Sequence, residues 1–95
     1  MSGRADVSVT QDGPGKFRVE VHEAGETTTH AVNVPQGLAE EMGWGSEKET
    51  DLVRESFAFL LEREAPTSIL RSFSIDVIGR YFPEYEREIA RRLGG

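Results

Sequence analysis

The stretch "KFRVEVHEAGETTTHAVNV", Lys16 to Val34, carries the reading on which the rest depends. Phe17, Val19 and Val21 alternate with charged residues, and His30, Val32 and Val34 repeat the alternation after "EAGE". Period two marks strands with one wet face and one dry face. A two-residue loop at Ala24-Gly25 sets Val21 opposite Thr28, Val19 opposite His30 and Phe17 opposite Val32. That register gathers the apolar side chains on a common face, and a slip of one residue would put them all in water.

Working outward toward the N-terminus, "ADVSVT" continues the alternation through Ala5, Val7 and Val9, and "DGPG" supplies the turn residues before Lys16. A three-residue loop Asp12-Gly13-Pro14 sets Val9 opposite Phe17 and Val7 opposite Val19. Residues 5–34 are therefore expected to form a three-stranded antiparallel meander. Beyond Pro35 the pattern changes. Residues 35–45 read as a connector, with Leu38 and Met42 one helical turn apart and Trp44 between Gly43 and Gly45. "SEKE" then has the form of a capping box, Ser46 to Glu49. A long helix is predicted over 47–64, with Leu52, Val53, Ser56, Phe57, Leu60 and Leu61 on one broad stripe and Phe59 outside it. Pro66 disfavours helical geometry at Ala65 and ends the helix.

The tail, 67–93, is expected to break into short helices. Thr67 or Ser68 can cap a turn carrying Ile69, Leu70 and Phe73, and Ser74 a second carrying Ile75, Val77, Ile78, Tyr81 and Phe82. Pro83 suits the first turn of a last helix with Tyr85, Ile89 and Leu93 on its apolar stripe, before a closing Gly94-Gly95. The expected class is α+β in a single domain over 1–95: a three-stranded antiparallel meander, a long amphipathic helix and a tail of short helices.

Composition narrows the functional classes. The chain has 95 residues, no cysteine and a net charge of −6. Without cysteine there is no disulfide framework and no thiolate zinc site, so nothing requires an oxidising compartment and the cytoplasm is expected. No apolar run approaches the roughly 20 residues that span a bilayer, so no membrane partner is expected. "MSGRADVSVT" lacks the hydrophobic stretch of a signal peptide, and the mature chain is expected to start here. The acidic balance opposes non-specific binding to nucleic acid.

The segment "LVRESFAFLLEREAPTSILRSFSIDVIGRYFPEYEREI" resembles a segment of small bacterial proteins of unassigned function, with a likeness reaching back to "THAVNVP". The order of a short antiparallel sheet followed by an amphipathic helix is also similar, architecturally, to HicB-type antitoxins. That second likeness implies toxin binding or DNA binding. The chain departs from it where "GLAEEMGWGS" replaces the glycine- and cysteine-bearing segment usual before that family's helix.

Candidate chemistry is sparse. His22 lies on the wet face beside Glu20, and His30 on the dry face opposite Val19, so the two cannot share a metal. "GWGSE" lacks the second glycine of a nucleophile elbow, and "GPGK" lacks the length and following Ser/Thr of a phosphate loop. No catalytic, cofactor or metal-binding set emerges, and a non-enzyme is expected. The tail holds five arginines against four acids from Ala65 to Gly95, which is no basic stripe. Under a DNA-binding reading, Arg80, Arg91 and Arg92 would contact phosphates. The apolar excess of the tail has two readings: it folds back over the long helix and shields Phe57 and Phe59, or it packs on a second subunit through an interface formed by Phe73, Ile78, Tyr81, Phe82, Tyr85 and Ile89. Of the two, the interface is expected. The function expected from sequence is a homodimeric binding module, with a further protein partner possible and nucleic acid the alternative.

Overall fold

A computed structural model describes residues 6–93, and within it the alternating segments form three antiparallel strands, β1 (Asp6–Gly13), β2 (Lys16–Glu23) and β3 (Glu26–Asn33). The hairpin between β2 and β3 has the predicted register, Val21 against Thr28, Val19 against His30 and Phe17 against Val32. Its turn takes positive φ at both central residues, 55° at Ala24 and 79° at Gly25. Type I′ hairpin turns need that geometry to match strand twist; glycine meets it without a Cβ, and asparagine offsets its Cβ penalty through local hydrogen bonding of its side chain, which alanine lacks.

The hairpin between β1 and β2 corrects the expected register. Val9 faces Val19 and Val7 faces Val21, two residues further along β2 than predicted. The chain reverses at Pro14-Gly15, not over three residues, and the ladder is irregular between Gln11 and Gly13, leaving Asp12 as a bulge. Gly15 enables this tight turn with φ 68°, and a Cβ there would meet the Val34 carbonyl oxygen at 2.8 Å. In exchange, the Val34 amide donates to the Gly15 carbonyl at 2.7 Å. Because the shift is an even number, each side chain keeps its predicted face.

The meander also gains a fourth strand. Ser72–Ser74, expected within short helical turns, forms β4 and pairs in parallel with β3, Val32 beside Phe73, giving the order β1-β2-β3-β4. The connection between β3 and β4 holds α1 (Leu38–Glu41) and α2 (Glu49–Leu61). Trp44 and Ala39 are buried and anchor this connector. The helix expected over 47–64 has 13 residues, preceded by a 3₁₀ turn at Ser46–Lys48. Gly45 and Lys48 hold the cap positions, with no side-chain capping bond at either, and the capping-box expectation turns on the Ser46 side chain, which lies outside the described residues. A positive φ of 78° at Gly45 tightens the entry into the 3₁₀ turn, with the Lys48 amide on the Gly45 carbonyl at 3.1 Å. The strand start expected at Ala5, the side chains of Ser46 and Leu93, and Gly94-Gly95 lie outside the described residues.

Around α2 the tail closes the chain's own core, the first of the two readings of its apolar excess. Phe57 and Phe59 are both fully buried, although they lie on opposite sides of the helix. The Phe57 side faces the sheet, with the rings of His30 at 5.3 Å and Phe73 at 5.9 Å between centroids. The Phe59 side is covered by the tail, which after α3 (Ile78–Tyr81) turns at Pro83 into α4 (Tyr85–Leu93). Phe82 and Tyr85 meet Phe59 edge-on at 5.8 and 5.3 Å, and the Arg63 guanidinium lies 3.7 Å above its ring. Among the described residues no helix is long and apolar enough to cross a membrane.

A buried polar pair pins α4 to α2: the hydroxyls of Ser56 and Tyr85 share a hydrogen bond of 2.7 Å. Burial pushes the Tyr85 phenol up to about 12, against a smaller opposing effect of the Ser56 bond. In the unfolded chain it titrates near 10. The raised value makes its contribution fully present below about pH 10 and lost as pH rises toward 12, on the order of 2–3 kcal/mol. Alkaline titration of stability should therefore fall more steeply through that window in the native protein than in Tyr85→Phe. Ser56→Ala, which orphans the phenol, should cost about 1–3 kcal/mol, and adding Tyr85→Phe should cost little more, as denaturant unfolding of the three variants would show.

The turn yields a separate expectation. Ala24→Asn relieves a left-handed alanine and should stabilise by about 0.5–1 kcal/mol, a rise of roughly 3–6 °C in melting temperature for a domain of this size. No gain on calorimetry would mean that the turn does not hold this geometry.

Candidate functional site

The corner at Pro66 and the corner at Pro83 leave an open groove between the end of α2 and the tail. It has a volume of about 420 Å³ and is lined by Leu60, Ile69, Leu70, Phe73, Val77, Ile78, Tyr81 and Phe82, with Glu64 and Ser68 as its polar members. Leu60 and Ile78 form its buried floor, while Leu70 and Tyr81 are exposed at 52% and 68%. A predominantly apolar concavity of this size is suited to binding. Its two polar members do not form a nucleophile with a base, and none of the histidines reaches it.

The six residues expected at an interface therefore divide. Tyr85 and Ile89 are fully buried in the chain's own core, and Ile78 is nearly so. Phe73 and Phe82 are half-buried, each holding one of the α2 phenylalanines while also lining the groove. Tyr81 alone of the six stands mostly in solvent. Leu60, Ile69, Leu70 and Val77 complete the groove and were not singled out as site residues. The signal was present in "SIL", where two adjacent large apolar residues follow a proline-bounded break and cannot both turn inward.

The three arginines considered for phosphate contact also separate. The Arg92 side chain, 19% exposed, bonds both oxygens of Glu62 at 3.0 and 2.9 Å and lies 3.8 Å from Glu55. Arg91 pairs with Glu88 at 2.9 Å. Arg80 is exposed and takes part in no ion pair among the described residues. Arg92 thus joins α4 to α2, as does Arg63 through Glu84 at 3.1 Å. A hydrogen bond from its own backbone amide, followed by the Arg63 contact, holds the Glu84 carboxyl below its ordinary value.

The histidines occupy the predicted faces. His22 is exposed, 2.8 Å from the Thr27 hydroxyl and 3.8 Å from Glu20. His30 is 1% exposed and ties β3 to the segment before β4: its Nδ1–H donates to the Leu70 carbonyl at 2.8 Å, and in the neutral ring Nε2 accepts from the Thr28 hydroxyl at 2.9 Å. The neighbouring Ala31 amide donates to the Arg71 carbonyl at 2.7 Å. These two bonds fix the groove's Leu70 wall to β3. Among the described residues no three His, Cys, Asp or Glu side chains come together as a metal site.

Comparison with protein families, curated proteins and solved structures finds no match to this chain. The groove's chemistry therefore carries the functional argument. His30→Leu keeps the ring's bulk but strands the Leu70 carbonyl, and should cost about 1–3 kcal/mol. Amide exchange should locate that loss: protection of Ala31 should fall more than that of Val19, which lies at the centre of the sheet.

Proposed function

We propose that this protein is a non-enzymatic interaction module that associates as a homodimer through the apolar groove, acting in a bacterial cytoplasm. The observation that carries the reading is the coincidence of Leu70 and Tyr81, the two large hydrophobics most exposed among the described residues, at the margins of one concavity. Exposed apolar surface gathered at one groove favours association, whereas scattered single residues would carry no such meaning. A HicB-type DNA-binding role draws less support, because Arg91 and Arg92 are already engaged by Glu88 and Glu62.

Tyr81 is the residue on which to test this reading. Phe82 packs on Phe59, so a charge there would disturb the core as well as the surface. Tyr81→Glu instead places a charge on an exposed side chain. Sedimentation equilibrium should find the native chain dimeric at micromolar concentration and the variant shifted toward monomer, with melting temperatures that agree. A native protein that remains monomeric would remove the homodimer reading.

A further inference from the structure

We propose that the occupant of the groove is a second copy of this chain, related by a two-fold axis running along the groove, with Arg80 of each copy facing Glu64 of the other. This inference rests on the homodimer reading and specifies its geometry. A symmetric interface requires a patch complementary to itself. The groove meets that requirement in shape, since one face carries both a projecting side chain, Tyr81, and the concavity that can receive it.

Charge supplies the independent argument. The chain carries −6, so two copies repel at long range. Apart from Arg63, which is paired with Glu62 and Glu84, four exposed charges stand in the groove's lining or next to it in sequence: Glu64 within it, Arg71 after Leu70, Asp76 before Val77 and Arg80 before Tyr81. Two acids and two bases sum to zero, which makes this face a locally balanced part of an acidic surface. None of the four has an ion-pair partner among the described residues, whereas Arg63, Arg91 and Arg92 are all paired. Glu64 follows α2 on one wall, and Arg80 belongs to α3 on the other. A two-fold axis along the groove lays the α2 wall of one copy on the α3 wall of its partner. Both Arg80–Glu64 pairs then form together, and the apolar linings close between them.

The test is a charge exchange read by sedimentation equilibrium and light scattering. Arg80→Glu alone sets glutamate against Glu64 at both ends of the interface, and Glu64→Arg alone sets arginine against Arg80. Each should weaken self-association about tenfold or more. An equimolar mixture of the two variants should recover dimers, because every contact in the mixed pair is again between opposite charges. Both positions are exposed, and circular dichroism of each variant would verify that the fold is retained. A native dimer unaffected by either substitution, or no recovery on mixing, overturns this geometry while leaving the homodimer reading in place. A native monomer overturns both.

Discussion

Phe57 and Phe59 impose the constraint from which the rest of the architecture follows. Two residues apart on a helix means about 200° around its axis, so the two rings cannot rest on the same partner. Both are fully buried. The helix must then be covered on two sides, and the sheet supplies only one of them. Burial of a phenylalanine is worth about 3–5 kcal/mol when judged by truncation to alanine, a large fraction of the stability available to a small domain. That magnitude explains why the tail folds back over α2 and does not remain extended. Ser56–Tyr85, the Arg63 lid and the Arg92–Glu62 contacts refine a closure that Phe59 makes necessary.

The same closure explains why one groove remains open. Tyr85 and Ile89 lie on α4, beyond Pro83, and reach the core directly. The residues between Pro66 and Pro83 must both cross to the sheet as β4 and return toward α2. Phe73, Ile75 and Ile78 serve the core during this passage, while Leu70 and Tyr81 face outward. Among the described residues no further element covers them. The groove is thus what the covering of Phe59 leaves behind, and its apolar character follows from the same residues that close the core.

His30 shows how a buried polar side chain serves the fold. Its ring packs on Phe57 while both nitrogens find partners, one of them forty residues distant in sequence. A buried polar group without partners would cost several kilocalories, and with them it fixes one arrangement of β3 and the Leu70 segment. The wall of the groove and the core of the sheet are consequently held by one side chain.

Local periodicity in this chain determined the β2–β3 hairpin down to its register, because a two-residue turn and a strict alternation leave one pairing that keeps Phe17, Val19, Val21 and Val32 dry. It also determined which faces His22 and His30 occupy, and the sites at which Pro66 and Pro83 break the chain. The bulge at Asp12 was not legible, since a turn of two or three residues fits "DGPG" equally well and both keep the valines inward. Strand β4 escaped detection because three residues carry no period, and their extended form is selected by the open edge of β3. Phe59 was placed off the apolar stripe because helical spacing describes one face, and only the tertiary structure brings a second partner to the other. Tyr85 and Ile89 were indistinguishable from interface residues for the same reason: a sequence shows how much apolar surface a segment carries, while the packing of distant segments decides whether that surface is covered from within the chain or left for a partner.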